Sequence, residues 1–559
     1  MSNQKERKGF YIMLDSMIEA SPKPDGKFVQ DIYLEGRLVD LAKYTGGVTD
    51  ESILQLLKNC EGFQQFVHSI GVSITTPEAS SDVIFTLENW GKTSKYESGS
   101  RMSVKCPADG TEMIINVSDF NLSAEDDVPG KFTFEFQQAG LLATANVIFY
   151  VNEGYDVPKL EADEPVDFQS RAYENMISRS LLHQGNNKRL KAAIEKAKRG
   201  EDVTIAYIGG SITQGAGAKP INHACYAYQS YSIFKRLFGQ HGGEHIHFIK
   251  AGVGGTPSEL GMLRYERDVL KNGAVQPDIV IVEFAVNDAD DETAGKCYES
   301  LVLKALSAGN EPAVILLFSV FINDWNLQDR LAPVGFHYDL PMVSVKDAVV
   351  EQFYLSKAEG NVVTKRQYFY DSYHPTNTGH TIMADSLGYL FAETDRAAIS
   401  VQDIELNKAP VIGNEFVTVR LLDRESNTHI AHIVEGSFSA VDTELQLAEM
   451  DDQPHGTPQF PYNWMHTDSS GNDSFMMKIS SKALLLIYKD SGNQAFGSAQ
   501  ISIDGEVVKT VDPLAISWTH CHAVILYNEQ YSSEHTVEIQ MDPEHKQKHF
   551  TILGFGYVE

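Results

Sequence analysis

A chain of 559 residues is long for one ordinary domain, and at roughly 150 residues per domain it predicts about three or four units. Apolar residues make up 42% and charged residues 22%, ample for buried cores. The formal charge of −30, from 46 Lys+Arg against 76 Asp+Glu, argues against nucleic acid, anionic membranes and highly anionic substrates, and leaves neutral ligands as the expectation.

The N-terminal stretch MSNQKERKGFYIMLDSMIEASPKPDG has no sustained apolar segment and no cleavage signature, and no run approaches the roughly 20 apolar residues of a membrane span. The five cysteines are scattered, odd in number and without a CxxC, so neither a disulfide framework nor a zinc site is expected. These features predict a soluble, reduced, cytoplasmic protein. From about residue 28 to 157, short alternating runs such as SDVIFTLENW and KFTFEFQQAG lie between PADGTE and SAEDDVPG turns, the pattern of an antiparallel sandwich. One amphipathic helix is predicted to interrupt it over 50–71. From Val203 to about Asp395, the strands VTIAYIGG, HIHFIKAGVGG, DIVIVEFAVND and AVILLFSVF alternate with helical stretches, which predicts a parallel sheet covered on both faces. Beyond about Val401, runs such as ALLLIYKD, AQISIDGEVV and HAVILYN predict a second sandwich. The expected division is residues 1–165, 166–398 and 399–559: an α/β centre flanked by β-sandwich domains.

The stretch VTIAYIGGSITQGAGA (203–218) crowds Gly209, Gly210, Gly215 and Gly217 around one hydroxyl, Ser211. A Walker A loop needs GxxxxGK[ST], but Gly215 is followed by Ala216 and Gly217, and Lys219 precedes Pro220. GxGxxG fails as well, because Pro220 stands at its third glycine. That leaves Ser211 as a turn residue or a nucleophile, and a serine nucleophile needs a base and a group to orient it. Other strand ends offer the partners. AGVGGTPSE (251–259) brings glycines whose N–H groups can approach a ligand, with Gly254 and Gly255 as rivals for that role. EFAVND (283–288) ends in Asn287, an amide donor or an Asx cap. DSYHPTNTGH places Asp371 and His374 three residues apart ahead of a helix.

Ser211, Gly255, Asn287 and His374, in this order and with DxxH intact, resemble the four blocks of the SGNH (GDSL-like) hydrolase superfamily over roughly residues 185–395. The resemblance implies a three-layer α/β/α domain in which Ser211 is the nucleophile, His374 the general base and Asp371 the residue that holds its tautomer. It also implies an oxyanion hole of the Ser211 and Gly255 N–H groups with the Asn287 amide, and ester hydrolysis through an acyl-enzyme without metal or cofactor. The chain departs from the pattern at Gly210, where many relatives carry the Asp of GDS, at Lys250 in place of asparagine, and at Ala285 in place of glycine. The GGSIT form with β-sandwiches resembles bacterial carbohydrate esterases, implying a small acetylated carbohydrate as substrate. A GDSL-type lipase or lysophospholipase is the alternative enzyme. A carbohydrate-binding protein with an inactive SGNH domain is the alternative of another class. The sequence sets no oligomeric state.

Three further groups stand out. Asp288, Asp290, Asp291 and Glu292 match no EF-hand spacing and read as a solvated helix start. FINDWNLQDRLAPVGFHYDLP (321–341) reads as a long loop that walls the pocket with Trp325, His337 or Tyr338, or merely packs. QFPYNWMH (459–466) and SWTHCH (517–522) are sugar platforms or sandwich core, with core favoured.

Overall fold

The computed structural model describes residues 7–559 except 24, 35–36, 78–81, 97, 160, 451–455 and 517; Met1–Glu6 and Ser517 thus lie outside the described residues. The N-terminal domain is a sandwich of two antiparallel sheets. Four strands run in the order Gly9–Glu19, Leu142–Val151, Val67–Thr75, Met113–Asn116, and five in the order Ser21–Pro22, Phe28–Tyr33, Asp126–Phe136, Val83–Gly91, Arg101–Cys106. Alternation explains the register: Phe132, Phe134 and Phe136 point into the core while Lys131, Thr133 and Glu135 lie outside it. The single helix expected over 50–71 is instead two, Glu51–Leu56 and Cys60–Phe66, each started by its own side-chain cap, Asp50 and Asn59. Val67 then begins a strand, because VHSIGVSIT is rich in β-branched residues and pairs with Leu142–Val151.

The central sheet has six strands in the order Leu181–His183, Met342–Ser344, Ala313–Phe318, Ile279–Glu283, Val203–Gly209, Ile246–Gly252. The first is antiparallel and the rest are parallel. Helices Lys188–Lys198, Tyr226–Phe238 and Asn377–Arg396 cover one face; Ser258–Asp268, Lys296–Leu306 and Gln328–His337 cover the other. Val203–Gly209 is flanked by the strands that follow it on opposite sides. Its carboxyl end is therefore the point where chain direction switches, and a crevice opens there.

Each face of this sheet shares its apolar core with a flanking domain. Ile205 and Tyr207 join a cluster that reaches Phe10 and Phe149 of the N-terminal sandwich. Ala206 and Ile208, one residue out of phase, join a cluster that includes Leu485, Ile487 and Leu553 of the C-terminal domain. That C-terminal domain is an eight-stranded antiparallel sheet built on the long strands Phe475–Asp490 and His520–Met541. Along the first of these, Leu484 and Leu486 fill the domain's own core while Leu485 and Ile487 face the catalytic layer. Trp464 lies in that core, its indole N–H donating to Glu435. All five cysteines are free and buried. No helix among the described residues is long and apolar enough to cross a membrane.

Candidate active site

Ser211 opens a one-turn helix, Ser211–Gln214, directly after Val203–Gly209. Its hydroxyl lies 2.9 Å from His374 Nε2, and His374 Nδ1 lies 2.9 and 3.0 Å from the two oxygens of Asp371. With Nδ1–H donating to the carboxylate, Nε2 is left as acceptor for the serine proton. The DxxH loop is held by its own backbone. The N–H groups of Tyr373 and His374 donate to Asp371, Tyr370 N–H donates to the His374 carbonyl, and Thr376 caps the helix Asn377–Arg396.

Burial alone would push the Asp371 carboxyl up. The His374 imidazole, the Arg37 guanidinium and the two backbone donors outweigh it and hold the group well below the usual carboxylate range. Arg37 comes from the N-terminal domain: its Nη1 donates to Asp371 Oδ2 at 2.8 Å, and its guanidinium lies 5.0 Å over the Tyr373 ring. Glu283, at the end of the neighbouring strand, is buried and pushed up to about 7 by that burial, against hydrogen bonds from Ser319 and Thr213.

The oxyanion side is built by close packing. A Cβ on Gly210 would stand 2.3 to 2.6 Å from the Asn287 amide, so only glycine lets that side chain lie against the backbone just before Ser211. The absence of the family's aspartate at this position thus has a steric reason. Gly255 has φ +68 and a Cβ there would meet Trp518 at 2.9 Å, while the Gly254 N–H is already taken by Gln214 Oε1 at 2.8 Å. Between the two rivals, this leaves Gly255 as the one whose N–H is not committed to Gln214. Lys250, the second departure, is fully buried and donates from Nζ to the Gln214 carbonyl at 2.9 Å and to Asn222 at 2.6 Å, closing the turn that carries Ser211. The buried Arg264 donates to the carbonyls of Gly209 and Ala251, fixing both strand ends from below.

The C-terminal domain completes this side. Gln446 Nε2 donates to the Gly254 carbonyl at 2.7 Å and its Oε1 accepts from Cys521 N–H. Glu449 accepts from Gln214, and His520 Nε2 donates to the Gly255 carbonyl at 2.9 Å. Burial drives His520 down to about 4, so it is neutral.

The family model for the GDSL-like lipase/acylhydrolase family matches residues 207–382, which contain the whole constellation. The central domain is an SGNH hydrolase. No curated protein sequence matches the chain significantly. Among solved structures, a two-domain esterase active on acetylated mannans is similar at 26% identity, covering 68% of this chain and 99% of that one with a TM-score of 0.57. The same esterase co-crystallised with mannopentaose matches at 25% identity, over 68% and 98% of the two chains, with a TM-score of 0.57. A family two carbohydrate esterase from Clostridium thermocellum, in complex with cellohexaose, matches at 12% identity over 59% and 90%, with a TM-score of 0.25. Through this central domain the chain is a carboxylic ester hydrolase.

Several residues lie elsewhere than the sequence pattern suggests. The segment 321–341 is not one long loop, because Gln328–His337 is a helix. Tyr338 is buried at its end and donates to Glu299, which also receives the N–H groups of 411–413; it walls no pocket. His337 Nε2 donates to the Ala409 carbonyl, on the same linker. Trp325 stacks on Phe321, which meets the Tyr373 ring edge-on at 4.9 Å, so it supports the DxxH loop from one layer behind. The run 288–292 is not a solvated helix start. Asp288 is buried, accepting from Ser258 N–H and hydroxyl, and Glu292 pairs with Lys509. Among the described residues of this acidic run only Asp291 joins a group with metal-ligand spacing, together with Glu259 and Cys297, all buried. Asp291 already accepts from Thr293 and Gly295, and burial with the Asp291 charge raises Glu259 to about 9.

Arg37, Gln446 and Glu449 are the site residues that sequence reasoning passed over, each joined to the site by a contact spanning more than a hundred residues and standing in no recognisable motif. Trp518 and His520 lie in the stretch SWTHCH, where core was favoured; His520 is buried and Trp518 is exposed.

Proposed function

We propose that this SGNH hydrolase removes acetyl groups from carbohydrate hydroxyls through an acyl-enzyme. The Ser211–His374–Asp371 relay carries the proposal, because each hydrogen bond needed for proton transfer is formed within 3.0 Å. In the proposed reaction Ser211 Oγ attacks the acetyl carbonyl carbon as His374 Nε2 takes its proton. The carbonyl oxygen gains negative charge against the N–H groups of Ser211 and Gly255 and the Asn287 amide. Collapse breaks the C–O bond to the sugar, and the proton on Nε2 goes to the leaving hydroxyl. Water, deprotonated by the same nitrogen, then attacks the acyl carbon; the bond to Ser211 Oγ breaks, acetate leaves and the proton passes from Nε2 back to Ser211. Asp371 stays ionised throughout and stabilises the imidazolium. Support for a carbohydrate leaving group comes from the similarity to the esterase active on acetylated mannans. The polar strand-end loops around Ser211 suit a hydroxylated leaving group better than an acyl tunnel.

Aryl esters with two-, four- and eight-carbon acyl groups test the acyl side, because each buried methylene gains about 0.8 kcal/mol only if apolar wall awaits it. The expected preference for acetyl is at least about tenfold, equivalent to about 1.4 kcal/mol. A kcat/KM that rises with chain length replaces the proposal with a lipase. Acetate release from acetylated manno-, xylo- and gluco-oligosaccharides tests the sugar side, with release from at least one of them expected.

A further inference from the structure

A cleft of about 1420 Å³ opens beside the site, lined by the N-terminal domain on one side and the C-terminal domain on the other. Its lining includes Arg37, which pairs with Asp371, Tyr373, which precedes His374, and Trp518, which packs on Gly255, so it borders the reacting centre. The volume exceeds the roughly 300–1,000 Å³ of sites for compact small ligands and suits a chain of several rings.

The walls carry exposed aromatic rings. Tyr33, ending the strand Phe28–Tyr33, and Tyr96, in the turn after Val83–Gly91, are 48% and 47% exposed, and Trp518 opposite them is 45% exposed. Both tyrosines are backed by the buried Trp90, whose centroid lies 6.5 Å from Tyr33 and 5.1 Å from Tyr96. Trp518 is seated on His520 at 4.7 Å. Rings fixed from behind and open in front offer a flat apolar face at little entropic cost, with a polar edge for hydroxyls. The C–H face of a pyranose matches such a surface. The cations around the cleft are engaged with the protein itself. Arg37 pairs with Asp371, Lys92 donates to the Ala124 carbonyl, Lys489 pairs with the buried Asp442, and Lys95 lies over the Trp90 and Tyr96 rings. A neutral chain fits this lining better than an anionic one.

We infer that the cleft binds the sugar rings flanking the acetylated one in a neutral polysaccharide chain, with Tyr33 and Tyr96 of the N-terminal sandwich stacking on them opposite Trp518. This rests on the carbohydrate deacetylase reading and assigns the N-terminal domain a part in substrate selection.

The test uses the full-length enzyme, a Tyr33→Ala/Tyr96→Ala variant and a Tyr33→Phe/Tyr96→Phe variant, with acetylated manno-disaccharide and manno-hexasaccharide as probes. Each kcat/KM for acetate release is divided by the same enzyme's kcat/KM on an aryl acetate, which carries no flanking sugar rings. Wild type is expected to favour the hexasaccharide by about tenfold or more. The alanine pair should lose most of that advantage, chiefly through KM, and the phenylalanine pair should keep it, since the ring faces remain. Should the alanine pair melt at a much lower temperature than wild type, Tyr96→Ala alone decides by the same ratio. An alanine variant with the full length advantage, or a wild type with none, overturns the inference while leaving the deacetylase reading intact. Turnover of aryl acetate without acetate release from any oligosaccharide overturns both.

Discussion

The two flanking domains meet the catalytic layer in different ways. The N-terminal sandwich reaches the acid of the relay with one charged side chain, Arg37 on Asp371. The C-terminal domain reaches the other side of the site with neutral donors to backbone carbonyls, Gln446 to Gly254 and His520 to Gly255, and places its one carboxylate there, Glu449, on the Gln214 side chain. The first contact acts on charge and therefore on the proton equilibrium of the relay. In the proposed reaction the second acts on where backbone N–H groups point and therefore on transition-state geometry. In the proposed reaction, a single chain would thus tune the two halves of the chemistry from two separate folds.

The largest effect should come from the centre itself. Ser211→Ala is expected to lower kcat on an aryl acetate by about 10⁴- to 10⁶-fold with an unchanged melting temperature, which sets the floor for both flanking contributions. Near-wild-type turnover would remove Ser211 from its role.

Arg37→Ala comes next, with kcat/KM expected to fall about ten- to a hundredfold, the scale of one hydrogen bond to a charged group. Because Arg37 neutralises part of the Asp371 charge, its loss lets Asp371 stabilise the imidazolium more strongly. The acidic limb of the pH profile should therefore move to higher pH, and Arg37→Lys should restore part of both changes. A loss of rate with a fixed limb would mean that the arginine only holds the domain in place.

Gln446→Ala should cost less, about three- to tenfold in kcat, since it removes neutral hydrogen bonds of about 1 kcal/mol each. Here the acidic limb should stay where it is. A shifted limb would erase the distinction between the two domains.

The last effect is on stability rather than on turnover. His520 is held neutral down to about 4 in the fold, first by burial, whereas in the unfolded chain it takes up a proton near 6.5. Between these values the unfolded state binds the extra proton, so stability is fully present above pH 6.5 and falls as pH drops toward 4, by about 1.4 kcal/mol per unit at most. His520→Gln should flatten that part of the curve in denaturant melts at pH 7, 6 and 5. The same slope in both proteins would show that other groups set the acid sensitivity.

Local chemistry was legible where residue pattern and geometry are the same thing. The β-branched run ending at Gly209 and the DxxH spacing ahead of a helix each follow from rules that act within a few residues, and they stand in the fold as the pattern suggests. The errors fall where burial overrides pattern. Residues 288–292 look solvated because they are acidic, yet Asp288 is buried because Ser258 supplies two donors to its carboxylate. Tyr338 looks like a pocket residue because it follows aromatics and prolines, yet Glu299 gives its hydroxyl a buried partner. Trp464 and Trp518 lie in equally aromatic stretches; one fills a core and the other is 45% exposed in the cleft.

By itself, the sequence determined the α/β centre between two β domains and the order of the four SGNH-like blocks. Periodicity and glycine placement act locally and survive without knowledge of the partner strands. Only the tertiary structure decided that Arg37 would brace Asp371 across 334 residues, that Gln446 and His520 would hold the Gly254–Gly255 turn, and that Tyr33, Tyr96 and Trp518 would share one cleft. The physical reason lies in the sheet: its alternate side chains bury into two different cores, Ile205 and Tyr207 on one side, Ala206 and Ile208 on the other. Packing on both faces brings two distant domains to the same strand end, and no short-range signal in the chain encodes that meeting.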